Sequence, residues 1–175
     1  MTVSFRSPFI AFLSVIVAGL PGIVKAQRLD CDSLQHIINI VACDSMLSSL
    51  KGTAEDKDSG DKIYFSQVSL WTQLDDLRGQ DVAYDKVRRG YSFRAYIYNY
   101  SSPADELAAT LKTFHDCLDK DWISSAVYGK SGDTITYFKN PVNYVVIAIK
   151  RLKERVLIEC YNDSRKPRPE CISGD

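Results

Sequence analysis

The stretch NYVVIAIKRLKERVLIECY, residues 143–161, holds two alternating runs joined by the short connection RLKE. In the first, Val145, Ile147 and Ile149 alternate with Tyr144, Val146, Ala148 and Lys150. In the second, Val156, Ile158 and Cys160 alternate with Arg155, Leu157, Glu159 and Tyr161. A period of two is the signature of strands whose successive side chains point to opposite faces. One face is aliphatic and the other mixes aromatic with charged residues. A sheet covered by helices on one side buries the aliphatic face, so the pattern predicts where the core lies.

Working outward, YSFRAYIYNY (91–100) obeys the same parity: Phe93, Ala95 and Ile97 join the core, while Arg94, Tyr96 and Tyr98 fall on the outer face. IYFSQVSLW (63–71) and Thr134–Lys139 are strand-like as well. Helical spacing runs from Asp32 to Leu50, with Asp30 or Asp32 as N-cap and Gly52 placed to end it. Leu34, Ile37, Ile38 and Val41 form one stripe. Cys43, Met46, Leu47 and Leu50 form a second, rotated stripe, which requires a helix covered on two sides or bent near Ala42. Ser102, Pro103 and Glu106 announce another helix start. Its apolar stripe is Leu107, Leu111, Phe114 and Leu118, with Trp122 closing that face. The predicted architecture is an α+β domain with a mainly antiparallel sheet of about five strands and two helices in the order α-β-β-α-β-β-β.

Residues 1–26 read as an export signal. Arg6 precedes the twelve-residue apolar run FIAFLSVIVAGL, Pro21 and Gly22 break the helix, and VKA predicts Gln27 as the mature N-terminus. The run is too short to span a bilayer, which takes about 20 apolar residues. Residues 27–162 then form a single domain and 163–175 a Pro-rich, charged tail. Without Arg6 and Lys25 the chain has 20 basic and 22 acidic residues, a net charge of minus two. That balance argues against nucleic-acid binding, and no later apolar run is long enough for a membrane span after signal cleavage. A secreted or periplasmic location follows.

All five cysteines, Cys31, Cys43, Cys117, Cys160 and Cys171, lie beyond the signal, in a compartment where disulfides persist. An odd count leaves at least one thiol unpaired. Cys31 and Cys43 bracket about 18 Å of helix rise and are too far apart to be partners. Cys160 and Cys171, on a strand end and the tail behind it, are the candidate bridge. No CxxC or His/Cys spacing marks a metal site, and no cofactor is indicated.

Motifs for catalysis are weak. GKS at 129–131 lacks the earlier glycine of a phosphate loop, and Asp56, Asp58 and Asp61 lack the glutamate that would complete a calcium loop. His115 and Cys117 are two residues apart on a helix and diverge. The chain therefore leans away from enzyme. The outer face, with Arg94, Tyr96, Tyr98, Tyr144, Arg155 and Tyr161, is the candidate surface for a protein, peptide or glycan partner, because tyrosine with arginine offers flat apolar area plus donors. The charged segment 73–90, read as a long loop, is the second candidate surface. Alternatives are a periplasmic inhibitor or immunity protein that uses that loop as a plug, and a small hydrolase with an unmarked carboxylate site.

The runs AQRLDCDSLQHIINIVACDSMLSSLKG and SSPADELAATLKTFHDCLDKDW resemble small exported proteins of Bacteroidota-type bacteria, which combine a signal, a leading helix ending in LKG, and a second helix ending in CL then W. The resemblance covers about a third of the mature chain and implies a periplasmic or secreted bacterial protein; it adds no mechanism, since those proteins have no assigned activity. Such proteins tend to carry cysteines around the second strand, and this chain has none there.

Overall fold

The computed structural model describes residues 29–55, 62–72, 78–98, 102–129 and 133–171. The export signal, the Asp56/Asp58/Asp61 turn and most of GKS lie outside them. The order is α1 (Cys31–Cys43), β1 (Lys51–Glu55), β2 (Ile63–Ser66), β3 (Arg78–Asp85), β4 (Gly90–Tyr98), α2 (Pro103–Cys117), β5 (Ile123–Tyr128), β6 (Thr134–Lys139), β7 (Val145–Arg151) and β8 (Arg155–Asn162). All eight strands join one antiparallel sheet, ordered β1-β2-β3-β4-β8-β7-β6-β5. The α+β class and the two helices agree with the sequence, but the sheet has eight strands where about five were expected. A helix followed by a four-stranded meander occurs twice, and the halves join edge to edge where β4 meets β8.

The parity argument holds at that seam. Phe93 lies opposite Cys160, Ala95 opposite Ile158 and Ile97 opposite Val156, while Ile147 and Ile149 continue the same rows across β7. All are buried beneath the helices. α1 packs over β8, β4 and β7, and α2 over β7 and β8. Leu34, Ile37, Ile38 and Val41 of α1 are almost fully buried, which contributes about 6–12 kcal/mol before chain entropy is subtracted. On α2 only Phe114 of the predicted stripe is fully buried, stacked on Phe138 at 6.0 Å, and Leu107, Leu111 and Leu118 pack along the core's flank.

The three added strands have physical reasons to escape a search for apolar alternation. β1 and β5 are the sheet edges, and every residue of β5 is exposed. β3 is half-buried and carries polar side chains matched to its neighbours. The segment read as a loop over 73–90 is thus a strand from 78 to 85, followed by a tight turn. Gly52 belongs to β1 and does not end a helix; a Cβ there would come within 2.9 Å of the Phe65 carbonyl oxygen.

The first helix begins as expected. Asp30 caps it, its carboxylate accepting from the Asp32 and Ser33 amides and from the Ser33 hydroxyl. It stops at Cys43 because Asp44 turns extended and its carboxylate accepts from the Met46 and Ser48 amides. Leu47 then adopts a left-handed conformation, φ 51°, and Ser48–Leu50 make a 3-10 turn. The second stripe is therefore split: Leu47 and Leu50 reach the core from that turn, while Met46 is exposed.

The disulfides are Cys31–Cys117 and Cys43–Cys171, each with Cα atoms 5.3 Å apart. Cys31 and Cys43 are not partners, as the helix length requires. The expected Cys160–Cys171 bridge does not form. Cys160 points into the core between Phe93 and Ile147, free and buried, whereas the chain beyond β8 turns back over the end of α1. There the Arg168 amide donates to the Ala42 carbonyl at 3.0 Å, which brings Cys171 to Cys43.

Replacing Cys43 and Cys171 together by Ala should lower the unfolding free energy by about 2–5 kcal/mol, measured by denaturant titration. In the native protein a thiol reagent should find no reactive cysteine, and after denaturation without reductant it should find Cys160 alone.

Candidate functional site

The outer face of the sheet is built from rows of directly opposed residues. Asp81 on β3, Arg94 on β4 and Glu159 on β8 form one row. Arg94 grips Asp81 with two hydrogen bonds, Nε to Oδ1 at 2.6 Å and Nη2 to Oδ2 at 2.9 Å. Glu159, nearly buried, receives Lys150 and, at 3.4 Å, Arg88, and Arg88 also pairs with Asp85 at 2.8 Å. The guanidinium of Arg88 lies 3.9 Å from the Tyr161 ring centroid. Tyr96 and Tyr98 stack at 6.4 Å, and Arg155 lies across both, 4.9 and 5.8 Å from their centroids, with its Nη1 donating to Tyr98 Oη at 3.3 Å.

These contacts tune the ionisable groups. Burial, then the negative Asp81, push the Tyr96 phenol well above its ordinary value, and burial raises Tyr161 against the pull of Arg88. Burial opposes the charge on Arg94, but the hydrogen bond and charge of Asp81 outweigh it and the guanidinium titrates above its usual range.

Five of the six residues expected on this face therefore meet there: Arg94, Tyr96, Tyr98, Arg155 and Tyr161. Tyr144 does not join them. Asn140 accepts from the Val142 and Asn143 amides, Asn143 accepts from the Val145 amide, and Tyr144 is left in a turn at φ 60° before β7 begins. Its ring lines a separate shallow groove of about 230 Å³ with Ile123 and Pro141. On the main face Arg88, Arg94 and Lys150 are matched by Asp81, Asp85 and Glu159. That neutralised network holds strands together, and Arg155, like Lys139 over the Tyr137 ring at 5.6 Å, rests on aromatic rings without an acid among the described residues.

A second location was not foreseen. Where α1 ends, the turn at Ser45–Leu47, the β3–β4 hairpin and the chain beyond β8 enclose a cavity of about 490 Å³. Its walls are apolar and aromatic, with Val41, Met46, Leu47, Tyr84 and Tyr91, and its cations are Lys62, Arg89 and Arg165. Tyr84 and Tyr91 are cross-strand partners in edge-to-face contact at 5.2 Å. Behind them Lys51 Nζ sits 3.2 Å from the Tyr91 centroid and 4.9 Å from that of Tyr64. Burial lowers the Lys51 pKa and the neighbouring Lys62 adds to that, while Asp44 opposes it. The hairpin that carries Arg89 is held by Asp85, whose carboxylate accepts from the Val87 and Arg88 amides; burial would raise Asp85, but those bonds and Arg88 keep it below its ordinary value. The residues converge from four separated segments, so no local motif announces them; the one local signal is the turn RRG at 88–90.

Two cysteines near other candidate groups are accounted for. Cys117 is bridged to Cys31, which removes any thiolate beside His115, and burial pushes the Cys160 thiol far above its ordinary value. Among the described residues no group of three or more His, Cys, Asp or Glu could hold a metal ion, and no helix is long and apolar enough to cross a membrane. Comparison with family models, with curated proteins and with solved structures gives no match to this chain.

Because Arg94 and Asp81 are both largely shielded, with side-chain exposures of 23% and 17%, Arg94→Ala should destabilise the fold by about 1.5–3 kcal/mol. Arg155→Ala, which removes a cation resting on two rings, should cost under about 1 kcal/mol. Parallel thermal and denaturant unfolding of the two variants checks the difference.

Proposed function

We propose that this chain is an exported, non-catalytic binding module that holds a small molecule in the cavity at the end of α1. The observation that carries the reading is the cavity itself. At about 490 Å³ it has the size of a small-molecule site, and its described lining combines two tyrosines and aliphatic side chains with a few polar groups. That lining offers contact and orientation, but no thiol, imidazole or carboxylate to act on what is bound. Export is supported by the signal-like N-terminus, by the resemblance to small exported proteins, and by two disulfides, which indicate an oxidising compartment.

The outer shelf of Tyr96, Tyr98 and Arg155 supports a second reading, docking of a protein, peptide or glycan partner. The observation in its favour is that Arg155 lies over both rings with no carboxylate partner among the described residues. The inhibitor alternative takes the charged segment 73–90 as its plug, and of that segment residues 78–85 are a strand within the sheet.

Phenylnaphthylamine, a neutral dye that brightens in apolar sites, should bind the purified protein saturably. Ser45→Trp, which places an indole at the rim of the cavity, should weaken that binding at least tenfold (about 1.4 kcal/mol) with little change in thermal stability. Absence of dye binding, or equal binding by the variant, would remove the cavity from consideration. Cell fractionation with N-terminal sequencing should place the mature protein outside the cytoplasm, beginning at Gln27.

A further inference from the structure

We infer that the ligand of this cavity is an amphipathic organic anion, an apolar or aromatic body carrying a carboxylate, sulfonate or phosphate; the inference rests on the cavity being the binding site. On the outer face three cations are matched to acids, Arg94 to Asp81, Lys150 to Glu159, and Arg88 to both Asp85 and Glu159, while Arg155 and Lys139 rest on tyrosine rings. Lys62, Arg89 and Arg165 contrast with these. All three line the cavity, and none of their side chains has an ion pair or hydrogen bond among the described residues. They are gathered from the start of β2, the β3–β4 hairpin and the chain beyond β8, so their convergence reflects the tertiary fold and not a basic run in the sequence. Lys51 adds a fourth positive charge behind the Tyr91 wall. Like charges brought together destabilise the unliganded protein, and an anion among them relieves that repulsion.

No carboxylate is among the described residues that line the cavity. Asp44, at the helix end, acts on Lys51, and its oxygens already accept from the Met46 and Ser48 amides. The carbonyl end of α1, which would repel an anion, is occupied. The Ile40 carbonyl accepts from the Asp44 amide, Val41 from Asn162 Nδ2 and Ala42 from the Arg168 amide. Two of the three cations also stand at left-handed backbone positions, Arg89 at φ 53° and Arg165 at φ 55°. Glycine or asparagine serves such turns with less strain, so arginine at both is chosen for its side chain. Tyr84, Tyr91 and Met46 supply the apolar contact, and the cations at the rim meet a charged head group.

The test compares phenylnaphthylamine with anilinonaphthalene sulfonate, which has the same ring system plus an anionic group. The native protein should bind the sulfonate at least about tenfold more tightly at low salt, with the preference shrinking as salt is added. Lys62→Gln, Arg89→Gln and Arg165→Gln should each weaken sulfonate binding by roughly three- to tenfold more than they weaken binding of the neutral dye, and Arg89→Lys should retain most of the preference. Equal affinity for the two dyes, or variants that weaken both alike, would overturn the anion inference and leave the cavity reading standing. Failure of both dyes to bind, or binding indifferent to Ser45→Trp, would overturn the cavity reading and this inference with it.

Discussion

The fold depends on how α1 is held against the seam between its two halves. Its buried stripe lies over β8, β4 and β7, so one helix covers strands from both four-stranded meanders. A disulfide fixes each end: Cys31 at its first residue ties it to the last residue of α2, and Cys43 at its last residue ties it to the returning chain at Cys171. The bridges span 86 and 128 residues, and on loop-entropy grounds each closure removes about 4–5 kcal/mol of freedom from the unfolded chain. The sheet alone would have no such restraint, because its long-range β4–β8 pairing joins segments about sixty residues apart and is the entropically expensive step of assembly.

That arrangement also creates the cavity. Since Asp44 halts the helix at Cys43, the chain leaves the sheet face early, and Leu47 and Leu50 regain the core only from the following 3-10 turn. The gap beyond the helix end is walled by the β3–β4 hairpin and roofed in part by the chain pinned through Arg168 and Cys171. The Cys43–Cys171 bridge therefore has two consequences from one bond. It stabilises the fold, and it holds the segment carrying Arg165 beside the pocket.

The sequence made the core legible wherever period-two alternation met a buried face. Val145, Ile147 and Ile149 define a parity that Val156, Ile158 and Cys160 repeat, and Phe93, Ala95 and Ile97 inherit it through direct cross-strand pairing. The strands that went unread carry no such signal. β3 places Asp81 opposite Arg94, a match that becomes visible only after pairing, and β5 has no buried face at all. The end of α1 was obscured because Leu47 and Leu50 continue the helical spacing beyond the point where Asp44 breaks it. Disulfide partners were illegible for a related reason: Cys160 and Cys171 are near in sequence, but strand parity sends one thiol into the core while the tail carries the other to α1. The outer face was largely legible, the cavity scarcely at all, since Lys62, Arg89 and Arg165 meet only through the topology.

The two surfaces differ in what they do with charge. On the outer face, acids and bases alternate across β3, β4, β8 and β7 and neutralise one another, so most of their electrostatic energy is realised in the free protein. Recruiting those charges to a partner would mean breaking pairs that stabilise the sheet, and the net gain from such exchanges is small. At the cavity the balance is reversed. The side chains of its three lining cations make no ion pair or hydrogen bond among the described residues, and two of them stand at left-handed backbone positions, so on the proposed reading an anion would supply the missing partner. On the proposed reading the tyrosine-rich outer sheet is scaffold with an aromatic shelf at one end, and the basic pocket is where an anion would complete the charge balance.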